Sequence, residues 1–172
     1  MLGVNKWAGV AAAMLLSTTA MASAELKVTS ISGLSQLPTP LPYPFHEDAN
    51  ADSQVADALA QAKAAHKLAF IDLGANWCAD CRVLAGVMDL PEVRRFVDAH
   101  YVVAQIDVGR LNRNLQVPAR WGIPALPQGV PTVLIVDPNS DKLVDQGHVT
   151  VLVDARHMTP QQIADWLAKW VH

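Results

Sequence analysis

The chain has 172 residues, 51% of them hydrophobic, with 13 basic and 16 acidic side chains and a formal net charge of −3. That mild acidity argues against nucleic-acid binding, and no long apolar run after the N-terminal stretch points to a membrane span. It has only two cysteines, Cys78 and Cys81, so an apolar core and not a disulfide framework must hold the fold.

Residues 1–24 carry Lys6, an apolar stretch from Trp7 to Leu16, and Ala22, Ser23 and Ala24. This is the layout of a cleaved secretory signal, and its apolar part is too short to span a bilayer. The expectation is an exported chain, periplasmic or secreted, cut after Ala24, whose remainder has the size of one domain. Residues 25–52, with Pro38, Pro40, Pro42 and Pro44 at alternate positions, read as an extended arm leading into a domain over 53–172.

From Ser53, the apolar residues Val55, Ala58, Leu59, Ala62 and Ala65 recur at helical spacing, with Asp52 or Ser53 as N-cap. Leu68 to Leu73 is a short apolar run that suits a buried strand. A helix starts at the cysteine pair and continues through Val83, Leu84 and Val87. Another opens at Asp89, with Pro91 in its first turn, and runs to about Ala99. Val102 to Val108 and Thr132 to Val136 read as further buried strands, with a helix ending near Trp121 and Gly122 between them. The turn Asp137-Pro138-Asn139-Ser140 returns the chain into a strand over Lys142 to Gln146. Thr159 and Pro160 open a last helix with Ile163, Trp166, Leu167, Trp170 and Val171 along one face. This order predicts an α/β fold, a central mixed sheet with helices on both faces.

A bridge between Cys78 and Cys81 would close too short a loop to remove much chain entropy, which favours a redox role over a structural one. Metal binding is the third reading. A helix N-terminus favours a thiolate and lowers a cysteine's pKa below the ~8.5 of the free side chain. Cys78 is therefore the expected nucleophile, and Cys81, one turn on and more buried, the expected resolving partner. Arg82 stands where covalent haem attachment would need a histidine, and the six histidines show no close metal-ligand spacing.

Four features together resemble the thioredoxin family over roughly residues 53 to 172. They are Asp72 six residues before the first cysteine, Trp77-Cys78-Ala79-Asp80-Cys81, Val130-Pro131-Thr132 opening an apolar strand, and the final helix. Asp80 before the second cysteine and Arg82 after it, with the segment Asp154-Ala155-Arg156-His157-Met158, look like a subgroup of exported bacterial thioredoxin-like proteins. The resemblance implies a thioredoxin fold in three α/β/α layers. It assigns Asp72 as proton acceptor beneath Cys81, and Pro131 as a cis-proline that with Val130 and Trp77 receives an extended substrate. It also implies no cofactor beyond the Cys78–Cys81 disulfide, no metal, and a monomer. The implied partners are protein thiols and disulfides, with a membrane or periplasmic redox protein recycling the dithiol.

The chain departs from the family at three places. The Val102 to Gln105 stretch lacks the lysine often found near the buried acid, residues 123–129 form an insert before Pro131, and Ala-Asp replaces Gly-Pro between the cysteines. Asp80 opposes a thiolate at Cys78, whereas the helix dipole and Arg82 favour it. The reading is a protein-disulfide reductase, with an oxidase or isomerase as the near alternative. From another class, copper or zinc delivery would use the two cysteines with His148 or His157.

Overall fold

The structure is a computed structural model that describes residues 25–126 and 128–171; the signal-like segment 1–24 lies outside the described residues. Four strands form one sheet: β1 (Leu68–Gly74), β2 (Tyr101–Asp107), β3 (Thr132–Asp137) and β4 (Lys142–Leu143). Their spatial order is β2-β1-β3-β4, with β1 and β2 parallel and the other two pairings antiparallel. Among the described residues the α-helices are α1 (Ala51–Ala65), α2 (Ala79–Met88), α3 (Pro91–His100), α4 (Gln116–Ala119) and α5 (Pro160–Ala168), and a 3-10 segment covers Val151–His157. No helix among the described residues is long and apolar enough to cross a membrane.

The pleat divides the core in two. Ala69, Ile71 and Leu73 of β1, with Leu134 and Val136 of β3, pack against Val55, Ala58 and Ala62 of α1. On the opposite face Phe70, Val133 and Ile135 meet Leu84 and Val87 of α2, Val93 and Val97 of α3, and Ile163 and Leu167 of α5. The central strands β1 and β3 are thus buried on both faces, which is why their sequences, Asp72 apart, run apolar through the interior rather than alternating. The expected mixed sheet with helices on both faces is what the chain forms.

Several boundaries differ from the sequence reading for local reasons. Helix α1 starts earlier than Ser53 because Asn50 supplies the cap, its side-chain oxygen accepting from the Ser53 N–H at 2.9 Å. Helix α3 is capped by Leu90, and Asp89 instead closes α2. The last helix has the expected Thr159 cap and Pro160, and Gln162 completes a reciprocal capping box. Strand β4 stops at Leu143 because Asp145 turns inward: its carboxylate, rather than a main-chain carbonyl, accepts from the Ile135 N–H at 3.0 Å.

The proline-rich arm lies against the domain. Leu26, Leu37 and Phe45 are buried. Glu92 of α3 accepts hydrogen bonds from the Thr29 and Ser30 N–H groups, each at 2.8 Å, and Gln161 of α5 accepts from the Val28 N–H at 2.9 Å and donates to the Leu26 carbonyl at 2.7 Å. Arg82 donates to the carbonyls of Pro42 and Leu41, at 3.0 and 2.8 Å, and its guanidinium stacks on the Tyr43 ring.

Candidate active site

Strand β1 ends at Gly74 and the chain turns through Ala75-Asn76-Trp77 into α2, so the cysteine pair sits where strand passes into helix. Cys78 is the N-cap of α2, and its Sγ accepts from the Cys81 N–H at 3.1 Å. A sulfur in that position meets an otherwise unpaired N–H and the positive end of the helix dipole, both of which favour a thiolate. Cys78 and Cys81 form a disulfide with their Cα atoms 5.3 Å apart. Cys78 is 5% exposed and Cys81 fully buried.

The acid is on the same side. Asp72 and Gly74 share one face of β1, and a Cβ at Gly74 would lie 3.0 Å from the Cys81 Sγ, so the second sulfur approaches that face one step along the strand from Asp72. Across the sheet Asp72 stands between Gln105 of β2 and Val133 of β3. Both of its carboxylate oxygens are buried without a hydrogen-bond partner among the described residues. Burial disfavours the charged form and pushes its pKa up from 3.8 to about 7. The residues of β2 near it bring no cation, in keeping with the charge-free Val102 to Gln105 stretch.

Val130 and Pro131 reach the cysteines from the opposite side. The Val130–Pro131 bond is cis, and the Val130 carbonyl oxygen lies 3.4 Å from the Cys78 Sγ. Val130 makes no backbone hydrogen bond to another described residue. Trp77, 49% exposed, forms the outer rim; its Nε1–H donates to the Gly109 carbonyl at 2.7 Å and the Arg110 guanidinium lies over its ring. A groove of about 410 Å³ runs between these groups, lined by Trp77, Cys78, Asp80, Gly129, Val130 and Arg156.

The two motif residues expected to tune the sulfurs are both engaged elsewhere. Arg82 is clasped by the arm, as described above. Asp80 is buried in the first turn of α2, where one carboxylate oxygen accepts from the Arg156 main-chain N–H at 2.9 Å and the other lies 3.0 Å from the Arg156 Nε. Of the stretch expected as an insert, Leu126 is buried in the α1-side core, and Gln128 and Gly129 form one wall of the groove.

Arg156, Leu126 and Phe45 were not picked out as site residues from the sequence. The Asp154 to Met158 segment was the one sequence signal for Arg156. Phe45, an aromatic in a proline-rich stretch, packs its ring so closely over Gly74 that a Cβ there would collide with it. His157 Nδ1 is 2.5 Å from Asp154 Oδ1 and His148 packs edge-on to Trp170. No group of three or more His, Cys, Asp or Glu side chains placed to hold a metal ion occurs among the described residues.

No curated protein matches the chain. Among solved structures it is similar to a disulphide isomerase from Xylella fastidiosa Temecula1, at 36% identity and a TM-score of 0.69, over 75% of this chain and 97% of that one. A family model described as Thioredoxin-like matches residues 50–138, the span from the cap of α1 through β3 that carries the cysteine pair and the cis-proline. With its four-stranded mixed sheet, helices on both faces and a Cys-x-x-Cys pair at the mouth of α2, the chain belongs to the thioredoxin-like family.

Proposed function

We propose that this protein is a thiol-disulfide oxidoreductase of exported proteins, working through Cys78 and Cys81 and favouring the reductase direction. The observation that carries the reading is the placement of the Cys78 sulfur. It caps a helix N-terminus, is bonded to a buried second sulfur, and faces a groove opposite the Val130 carbonyl. The likeness to a disulphide isomerase supports the same chemistry.

In the reduced protein the Cys78 thiolate attacks one sulfur of a substrate disulfide. The substrate S–S bond breaks, a mixed disulfide forms, and the departing substrate thiolate takes up a proton. Asp72, held near neutral pKa by burial, accepts the Cys81 proton. The Cys81 thiolate then attacks the Cys78 sulfur, releasing the second substrate thiol and closing the Cys78–Cys81 disulfide. The substrate gains two electrons and two protons, and a dithiol protein must return them to this site before the next cycle. If a substrate thiol instead displaces Cys78 from the mixed disulfide, the net result is isomerisation with no redox change. An extended substrate segment fits the groove beside Val130, with Trp77 as its rim.

The segment 1–24 supports an exported location, and the form of the motif supports a place among exported bacterial thioredoxin-like proteins. Mass spectrometry of the chain recovered from a bacterial periplasm should show loss of residues 1–24; an intact N-terminus in the cytosol would argue against export. For the chemistry, insulin reduction with dithiothreitol should lose its dependence on the protein in Cys78→Ser, and equal rates in the two would refute the reading. The reduction potential then settles direction, since members of the fold span roughly −270 to −120 mV and the reductase reading requires the low end.

A further inference from the structure

The motif contains an opposing charge. Asp80 places a carboxylate in the first turn of α2, two residues from Cys78, where a fixed anion disfavours a second one. That carboxylate is gripped on both oxygens by Arg156, through its main-chain N–H at 2.9 Å and its Nε at 3.0 Å. Arg156 belongs to the 3-10 segment Val151–His157, which the fully buried Leu152 and Ala155 anchor in the core. Its side chain is half exposed and lines the groove with Cys78 and Val130.

The other charged groups near the motif are directed elsewhere. On α2, Arg82 is bound to the carbonyls of Leu41 and Pro42. On the 3-10 segment, Asp154 and His157 pair with each other. Asp72 lies on β1 behind Cys81, and Arg110 sits over the Trp77 ring. Arg156 is therefore the cation held against the Asp80 carboxylate.

We propose that Arg156 is a positioning residue of the dithiol site: it fixes the Asp80 carboxylate and offsets its charge, so that the helix N-terminus can stabilise the Cys78 thiolate in spite of an acid inside the motif. The role rests on the dithiol reading above and makes the Asp80–Arg156 pair, rather than Asp80 alone, the element that sets the poise of the site. It also predicts opposite effects for the two partners, which a merely structural contact would not produce.

The test is the pH dependence of thiolate absorbance near 240 nm in the reduced protein, which reads the ionisation of Cys78 without any substrate. Arg156→Gln should raise the Cys78 pKa by roughly one pH unit, and Asp80→Asn should lower it by a similar amount. The double variant should return close to wild type, and Arg156→Lys, which keeps the charge, should lie nearer wild type than Arg156→Gln. At pH values below the Cys78 pKa, the rate of attack on a small disulfide should follow the thiolate fraction, falling up to about tenfold in Arg156→Gln.

Shifts of the same sign in the two single variants would overturn the proposal, as would an unchanged pKa in Arg156→Gln with its circular dichroism intact. Should Arg156→Gln fail to fold, Asp80→Asn alone decides: a lowered pKa upholds the proposal, and an unchanged or raised one sinks it. A wild-type protein inactive on insulin, yet showing these opposite displacements, would instead count against the dithiol reading and leave the charge pairing standing.

Discussion

Asp72 shows how one residue couples the chemistry to stability. Its carboxyl ionises near 3.8 in an unfolded chain and near 7 in the folded protein. The folded state therefore holds the proton more tightly, and stability that is fully present below pH 4 is lost as the pH rises through 7. The full loss is on the order of 4 kcal/mol for a group so deeply buried. Asp145, pushed up to about 7 by its own burial against the opposing hydrogen bond from Ile135, adds a loss of the same sign in the same window. Urea unfolding at pH 5 and pH 8 should accordingly show a smaller difference between the two pH values in Asp72→Asn than in wild type, with the Asp145 part remaining. A variant with the wild-type difference would mean that Asp72 ionises freely. If Asp72 accepts the Cys81 proton as proposed, the same substitution should cut turnover by about a hundredfold or more while formation of the mixed disulfide persists. The placement of Cys78, Cys81, Asp72 and Pro131 was legible in the sequence because a two-residue spacing, a strand-embedded acid and an X-Pro-Thr step are local patterns. The partner of Asp80 was not, because it lies 76 positions away and nothing in composition says which of several arginines reaches it.

At the scale of elements, the arm is the part the sequence described least well. Alternating prolines forbid a regular ladder and suggest an extended run, but they do not say what the run lies against. Arg82, Glu92 and Gln161 from three helices, with Asn76 from the turn before α2, hold it by bonds to its main chain, and backbone groups carry no sequence signature. Arg82→Ala should therefore destabilise the protein by about 1–3 kcal/mol through two lost charge-assisted hydrogen bonds. Hydrogen exchange localises the effect. The Phe45 amide, which donates to Asn76 Oδ1 at 3.1 Å, should lose protection while the amides of β1 keep theirs. Unchanged protection at Phe45 would show that the arm is held without Arg82. Strand β4 was overextended in the sequence reading for a related reason: Val144 and Asp145 continue the apolar-polar alternation of a strand, yet the Asp145 side chain replaces the main chain as acceptor.

For the molecule as a whole, the order of elements was sufficient to derive the architecture. Two strands buried on both faces, and helices whose apolar faces demand cover, leave few arrangements other than three layers. The sheet then places the end of β1, the mouth of α2 and the cis-proline before β3 at one end of the molecule, since β1 is the neighbour of both β2 and β3. The site is thus assembled from segments more than fifty residues apart, with the nearly buried Cys78 lining the groove and Asp72 inside.

The full enclosure of Cys81, behind Cys78 and beside Gly74, has a consequence in stoichiometry. To a reagent in solution the reduced protein is a monothiol, and only to itself is it a dithiol. Iodoacetamide under native conditions should add a single carbamidomethyl group, at Cys78, and a second only after denaturation. Two rapid adducts would show that the inner sulfur is open to solvent. A bulky acceptor that captures Cys78 and carries no second thiol of its own must then wait on a sulfur it cannot touch, so the lifetime of that captured complex is set from inside the protein.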